Sequence, residues 1–161
     1  MVIWISGLSG SGKSYLANQI INKIHKHKFV NLDGDNVRKS FKINNLNLGY
    51  TLSDRKIQIK RLKSVAKILE DQNLNIVISA VYITNSIILS NRKLFEKYFH
   101  IHFDSDIIQL KKINNKKIYS KKNVYGSDIK KLDIKLSDIT FYDFLNKDQI
   151  NNLINLIKIK L

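Results

Sequence analysis

The chain contains no cysteine and no proline. Without cysteine there are no disulfides and no thiolate metal sites. The lack of proline over 161 residues accompanies an abundance of Lys, Asn and Ile, and reads as compositional bias rather than function. Acidic residues are also few, 13 against 28 Lys and Arg, which leaves a formal net charge of +15. Such a surplus attracts phosphate-bearing partners. Yet only four of the cations are Arg (Arg38, Arg55, Arg61, Arg92), the lysines are scattered, and no basic stripe interleaves with aromatics. Anionic small molecules are therefore the expected partners, and no nucleic acid. No apolar run is long enough to span a membrane. Val2 to Ile5 is too short for the core of a signal peptide. The expectation is a cytoplasmic protein with no membrane partner.

Hydrophobic residues make up 43% of the chain, enough for the core of one domain over residues 1–161 and too many for disorder. Strand-like and helix-like segments alternate. Val2 to Ser6 is a short apolar run, as in a buried parallel strand. Ser14 to Lys28 carries apolar residues at helical spacing. Phe29 to Leu32 predicts a second strand, and Asn36 to Phe41 a short helix. Ser53 is the expected N-cap of a long helix reaching about Gln72. Asn75 to Tyr82 predicts a third strand, about Ser86 to Lys97 a helix, and Phe99 to Phe103 a fourth strand. His100 and His102 alternate with apolar residues there, which fits strand side chains better than metal ligands. Residues 105–128 are polar and Lys-rich, the expected lid. Ile139 to Phe141 and Asp148 to Leu161 complete the chain as a short strand and an amphipathic helix. This order predicts an α/β fold, a parallel sheet with helices on both faces; the glycine-rich motif between the first strand and helix makes it a three-layer P-loop NTPase fold.

The chemistry is concentrated in Gly7-Leu8-Ser9-Gly10-Ser11-Gly12-Lys13-Ser14, a complete GxxxxGK[ST] motif between an apolar strand and a helix. Glycines let successive backbone N–H groups turn inward on phosphate oxygens, and the helix N-terminus adds positive potential. The motif predicts ATP binding, with Lys13 on the β- and γ-phosphates and the Ser14 hydroxyl on Mg²⁺. Asp33 and Asp35 flank Gly34 where the second strand ends, the edge that faces ligands in open α/β sheets. A carboxylate such as Asp35 there can accept the proton of an attacking hydroxyl, or hold Mg²⁺ through water. Arg38 follows by one helical turn, so an anionic group of the acceptor fits between base and clamp.

These residues resemble the adenylylsulfate kinase family. VIWISGLSGSGK (Val2 to Lys13) is similar to its first strand and loop, and LDGDNVR (Leu32 to Arg38) to its second signature. Leu48-Gly49-Tyr50 and Ser53-Asp54-Arg55 resemble its LGF…DR segment. Lys116 to Tyr119 resembles its KGLY, and Gly126 with Asp128 its GxD. The resemblance implies phosphoryl transfer to a ribose 3′-hydroxyl, with Lys13 and Asp35 catalytic. It places the acceptor against Asp33, Arg38, Tyr50, Arg55, Gln58, Lys116, Val124 and Tyr125, with Arg38 and Arg55 holding its anionic groups. It leaves a homodimer open.

The acceptor half departs from the family pattern. Gln58 replaces an Asn. Ala80-Val81-Tyr82 stands where Ser-Pro-aromatic is expected after the third strand. Ile113-Asn114 replaces Arg-Asp, and Val124 replaces a Phe. Loss of that aromatic wall costs roughly 0.5–1.5 kcal/mol of stacking. It tilts the expectation slightly toward a smaller, cytidine diphosphoramidate-type acceptor used in surface or capsule polysaccharide modification. Adenylyl sulfate itself is the close alternative. A non-catalytic P-loop nucleotide-binding protein is a second, against which Asp35, Arg38 and Arg55 speak.

Overall fold

The computed structural model describes residues 1–44, 46–113, 118–120 and 122–161. Its sheet consists of β1 (Val2–Gly7), β2 (Phe29–Asp33), β3 (Asn75–Ala80), β4 (Tyr98–Phe103) and β5 (Ile139–Phe141). They lie in the order β2-β3-β1-β4-β5, every pair parallel. The helices are α1 (Lys13–Lys23), α2 (Gly34–Ser40), α3 (Leu52–Asp71), α4 (Asn85–Leu94), α5 (Ile107–Ile113) and α6 (Lys147–Lys160).

Side chains of a strand alternate between sheet faces, and β1 shows what each face meets. Val2 and Trp4 pack with Ile59, Leu62 and Ala66 of α3 and Ile88 of α4. Ile3 and Ile5 pack with Leu16, Ala17 and Ile20 of α1 and with Leu153 and Ile157 of α6. All four β1 side chains are fully buried, which is why the strand reads as an unbroken apolar run rather than an alternating one. The three-layer α/β expectation holds. No helix among the described residues is long and apolar enough to cross a membrane.

Several boundaries differ from expectation. The cap of α3 is Thr51, not Ser53: its hydroxyl accepts from the Asp54 N–H while the Asp54 carboxylate accepts from the Thr51 N–H. This reciprocal pair satisfies two otherwise orphaned donors, and Ser53 lies inside the first turn. α1 stops at Lys23 and gives way to a 3-10 turn at His25–His27, closed by Lys28 in a left-handed conformation (φ 33°). β3 ends at Ala80, the last residue paired to β1, so Tyr82 lies in the connection beyond the strand. α4 ends at Leu94 because Phe95 turns extended (φ −97°, ψ 140°). The expected lid contains α5 and a 3-10 turn at Ile118–Ser120.

Candidate active site

The phosphate loop bridges β1 and α1. Gly12 caps α1 with φ 93°, a left-handed conformation that other residues rarely adopt. Lys13 is 8% exposed, and its ammonium donates to the Leu8 carbonyl at 2.6 Å. Burial pushes the Lys13 ammonium down to about 8, against the opposing pull of the Asp35 and Asp33 carboxylates.

Asp33 closes β2 and serves two partners at once. Its Oδ1 accepts from the N–H groups of Asp35 (2.9 Å) and Asn36 (3.3 Å), capping α2. Its Oδ2 accepts from Ser14 Oγ at 3.0 Å. The carboxylate that meets Ser14 is therefore Asp33. Asp35, in the first turn of α2, is exposed. A hydroxyl and two carboxylates on one sheet edge are hard oxygen donors of the kind Mg²⁺ takes, with phosphate and water completing its shell. No group of three or more His, Cys, Asp or Glu among the described residues forms a complete protein cage. The site thus fits a metal that arrives with nucleotide.

Beside the loop opens a cavity of about 210 Å³. Ser9, Asp33, Asp35, Arg38, Tyr50, Arg55, Gln58, Val124 and Tyr125 all line it. The cavity thus gathers the acceptor-side residues singled out from the sequence, apart from Lys116, which lies outside the described residues; Lys13 and Ser14 are not part of its lining. Arg38 and Arg55 are each 7% exposed. Arg38 Nη1 donates to the carbonyls of Leu48 and Gly49, and its Nε has no partner among the described residues. Arg55 Nε donates to the Tyr50 carbonyl (3.0 Å) and Nη2 to that of Asn123 (2.8 Å). The Tyr50 ring centre lies 4.7 Å from the guanidinium carbon of Arg38 and 5.9 Å from that of Arg55. Arg38 turns inward and anchors the loop carrying Tyr50. Burial, then the neighbouring Arg38, holds Arg55 below the ordinary arginine range. Two buried like charges with no ion pair among the described residues raise the local potential and favour an anionic ligand.

Gln58 Nε2 donates to the Gly34 carbonyl at 2.8 Å, leaving its buried Oε1 without a partner among the described residues. On the opposite wall, the Asn123 and Val124 N–H groups donate to the Asp128 carboxylate. Tyr119 donates its hydroxyl to the Ser9 carbonyl at 2.5 Å. Gly126, at φ 89°, sits so near Leu8 that a Cβ there would lie 2.5 Å from Leu8 Cδ2. Tyr119 and Gly126 thus rest directly on the phosphate loop.

Sequence reasoning missed Tyr82, Lys122 and Asn123, which also line the cavity. For Tyr82 a signal existed, since a residue just past the carboxyl end of a parallel strand stands on the ligand edge. His100 and His102 are buried in β4, both bonded to Ser6 Oγ. Burial holds them at about 3 and 4, so they are neutral interior side chains, as expected.

The sheet order, the phosphate loop and the second anion-favouring cavity define a P-loop fold of the kinase type. More specifically, the chain belongs to the adenylylsulphate kinase family, whose profile matches residues 1–133. It is 43% identical over 86 residues to a probable adenylyl-sulfate kinase of Halalkalibacterium halodurans, covering 52% of this chain and 40% of that protein. It is also 43% identical over 83 residues to the bifunctional enzyme NodQ of Rhizobium meliloti, covering 50% of this chain and 12% of NodQ. The matches therefore span less than half the length of these relatives. The Mycobacterium tuberculosis APS kinase CysC, solved with AMPPNP and APS, superposes with a TM-score of 0.84 at 24% identity, over 98% of this chain and 96% of that one. That likeness establishes the shared fold.

Proposed function

We propose that this chain is an ATP-dependent kinase that moves the γ-phosphoryl group of ATP to the ribose 3′-hydroxyl of adenylyl sulfate, giving ADP and 3′-phosphoadenylyl sulfate. One observation carries the proposal: a single cavity joins the phosphate loop at Ser9 to Asp33, Asp35, Arg38 and Arg55. Lys13 leaves the Leu8 carbonyl for the transferring phosphate, whose negative charge stabilises the ammonium. Asp35 accepts the proton of the 3′-hydroxyl as the oxygen attacks. Arg38 and Arg55 hold the acceptor's phosphosulfate, and Tyr50 and Gln58 contact the rest of the acceptor. Phosphoryl transfer through a loose transition state asks mainly for such positioning and positive charge. Ser14, Asp33 and Asp35 would hold Mg²⁺, which when bound neutralises charge on the phosphate oxygens. Residues 105–128 act as a lid, a reading supported by the Tyr119–Ser9 bond and the seat of Gly126 on Leu8.

The relatives named above favour adenylyl sulfate over the cytidine diphosphoramidate-type acceptor toward which the sequence tilted. That tilt rested on departures clustered in the acceptor half, the aromatic lost at Val124 among them, yet Tyr82 joins Tyr125 in bringing two rings to the same cavity. Family membership and the placement of Asp35 also weigh against a non-catalytic nucleotide-binding protein. The test is product identification by mass spectrometry after incubation with Mg·ATP and adenylyl sulfate. The proposal expects one added phosphate at the 3′ position, lost when the metal is chelated. ATP binding without a phosphorylated product would overturn it.

A further inference from the structure

The cavity offers a flat ligand few free aromatic surfaces. Tyr50 stands at its rim, half exposed (51%), with the Arg38 and Arg55 guanidinium groups set against its ring. Val124 is aliphatic and buried. Tyr125 is committed on several sides: its hydroxyl accepts from the Leu132 N–H at 2.8 Å, and the Arg55 guanidinium lies 5.8 Å from its ring centre. Tyr82 differs. It is 5% exposed and lines the cavity from the connection beyond β3. It meets Tyr125 edge to face, at 5.5 Å and 85°. Its hydroxyl carries no hydrogen bond among the described residues. That hydroxyl is not a buried orphan; beside the cavity it is available to whatever enters.

We infer that Tyr82 is a specificity-determining residue for the acceptor: with Tyr125 it forms the aromatic corner that receives the nucleobase, its hydroxyl reading a polar edge of the base. This rests on the kinase reading above and assigns the base-recognition wall to a residue outside the phosphate-handling set. Three features support the assignment. The edge-to-face contact with Tyr125 fixes the Tyr82 ring, so little rotamer entropy is lost on binding. Tyr125 is itself pinned by Leu132 and Arg55, which makes the corner rigid. The connection holding Tyr82 leaves the sheet at the edge that carries Asp33, its register partner in β3 being Ser79. Tyr82 and the reacting groups therefore face one ligand.

The experiment compares the parent with Tyr82→Phe and Tyr82→Leu. Steady-state kinetics are measured for adenylyl sulfate and for ATP. Calorimetric titrations with adenosine, cytidine, guanosine and uridine 5′-monophosphates supply a readout that does not depend on turnover. Removing a base–aromatic contact is expected to raise the acceptor KM of Tyr82→Leu about tenfold, with the ATP KM changed less than about twofold. Tyr82→Phe keeps the ring and is expected to recover most of this loss, while narrowing the parent's preference among the four monophosphates. Parallel rises in both KM values, or an unchanged acceptor KM and monophosphate ranking in Tyr82→Leu, overturn the inference. A melting temperature for each variant separates a binding effect from a folding defect. If the parent fails to turn over adenylyl sulfate, the kinase reading falls. The monophosphate titrations still decide on Tyr82, and binding of no monophosphate by the parent counts against it.

Discussion

Replacing Lys13 by Met is expected to abolish turnover and yet to stabilise the ligand-free protein near neutral pH. Burial holds the Lys13 ammonium at about 8 instead of 10.5, so the unfolded chain binds this proton more tightly than the folded one. Below about pH 8 both states are protonated, and the folded state bears the full cost of the buried charge. Between about 8 and 10.5 the folded state releases the proton first, so stability rises with pH. Above that window the contribution vanishes. At about 1.36 kcal/mol per pKa unit the gap corresponds to about 3 kcal/mol. The substitution also removes the Lys13–Leu8 hydrogen bond, a loss of about 1 kcal/mol. A net gain of about 2 kcal/mol at pH 7 remains, or about 4–8 °C in Tm for a chain of this size. The assay is thermal unfolding of parent and variant without nucleotide, at pH steps from 7 to 10. The difference between them should shrink steadily as pH rises. A variant less stable at pH 7, or a difference that stays flat across the window, would refute the reasoning. The same buried amine predicts proton uptake when ATP binds at about pH 8.5, because phosphate restores the charge; calorimetry in two buffers of different ionisation enthalpy measures it.

Three further outcomes follow from named contacts. Asp35→Asn should lower kcat by about 10²–10⁴, the usual contribution of a general base, with the ATP KM nearly unchanged; full turnover would remove Asp35 from the chemistry. Arg55→Lys loses the fork that holds the Tyr50 and Asn123 carbonyls. It should raise the acceptor KM about tenfold or more, and an unchanged acceptor KM in steady-state assays would contradict the assignment. Thr51→Ala breaks the capping box of α3 and should cost about 0.5–2 kcal/mol in chemical denaturation. Ser53→Ala should cost much less, and the reverse ranking would restore Ser53 as the cap.

What the sequence disclosed was the chemistry held in contiguous motifs. Gly7 to Ser14 fixes its own geometry, because the motif is a backbone conformation and only local residues build it. The apolar run at β1 and the Asp33-Gly34-Asp35 ending of β2 were legible for the same reason. Contacts between distant segments were not. That Ser14 meets Asp33 rather than Asp35 depends on how α2 starts, since capping leaves one Asp33 oxygen facing α1. That Arg38 turns inward depends on the loop carbonyls of Leu48 and Gly49. Tyr82 appeared in the sequence as the end of a predicted strand and as part of a departure from a family pattern. Its place beside Tyr125, far along the chain, needed the folded sheet. The N-cap of α3 misled because Thr51 and Ser53 are both good caps, and only the pairing with Asp54 separates them.

The central claim is tested most directly by ADP release coupled to a spectroscopic readout, with Mg·ATP and either adenylyl sulfate or a cytidine diphosphate-type acceptor. Saturable ADP release with adenylyl sulfate is expected, well above the acceptor-free rate and absent in Asp35→Asn. Release with the cytidine compound alone, or none above background with adenylyl sulfate, would contradict it.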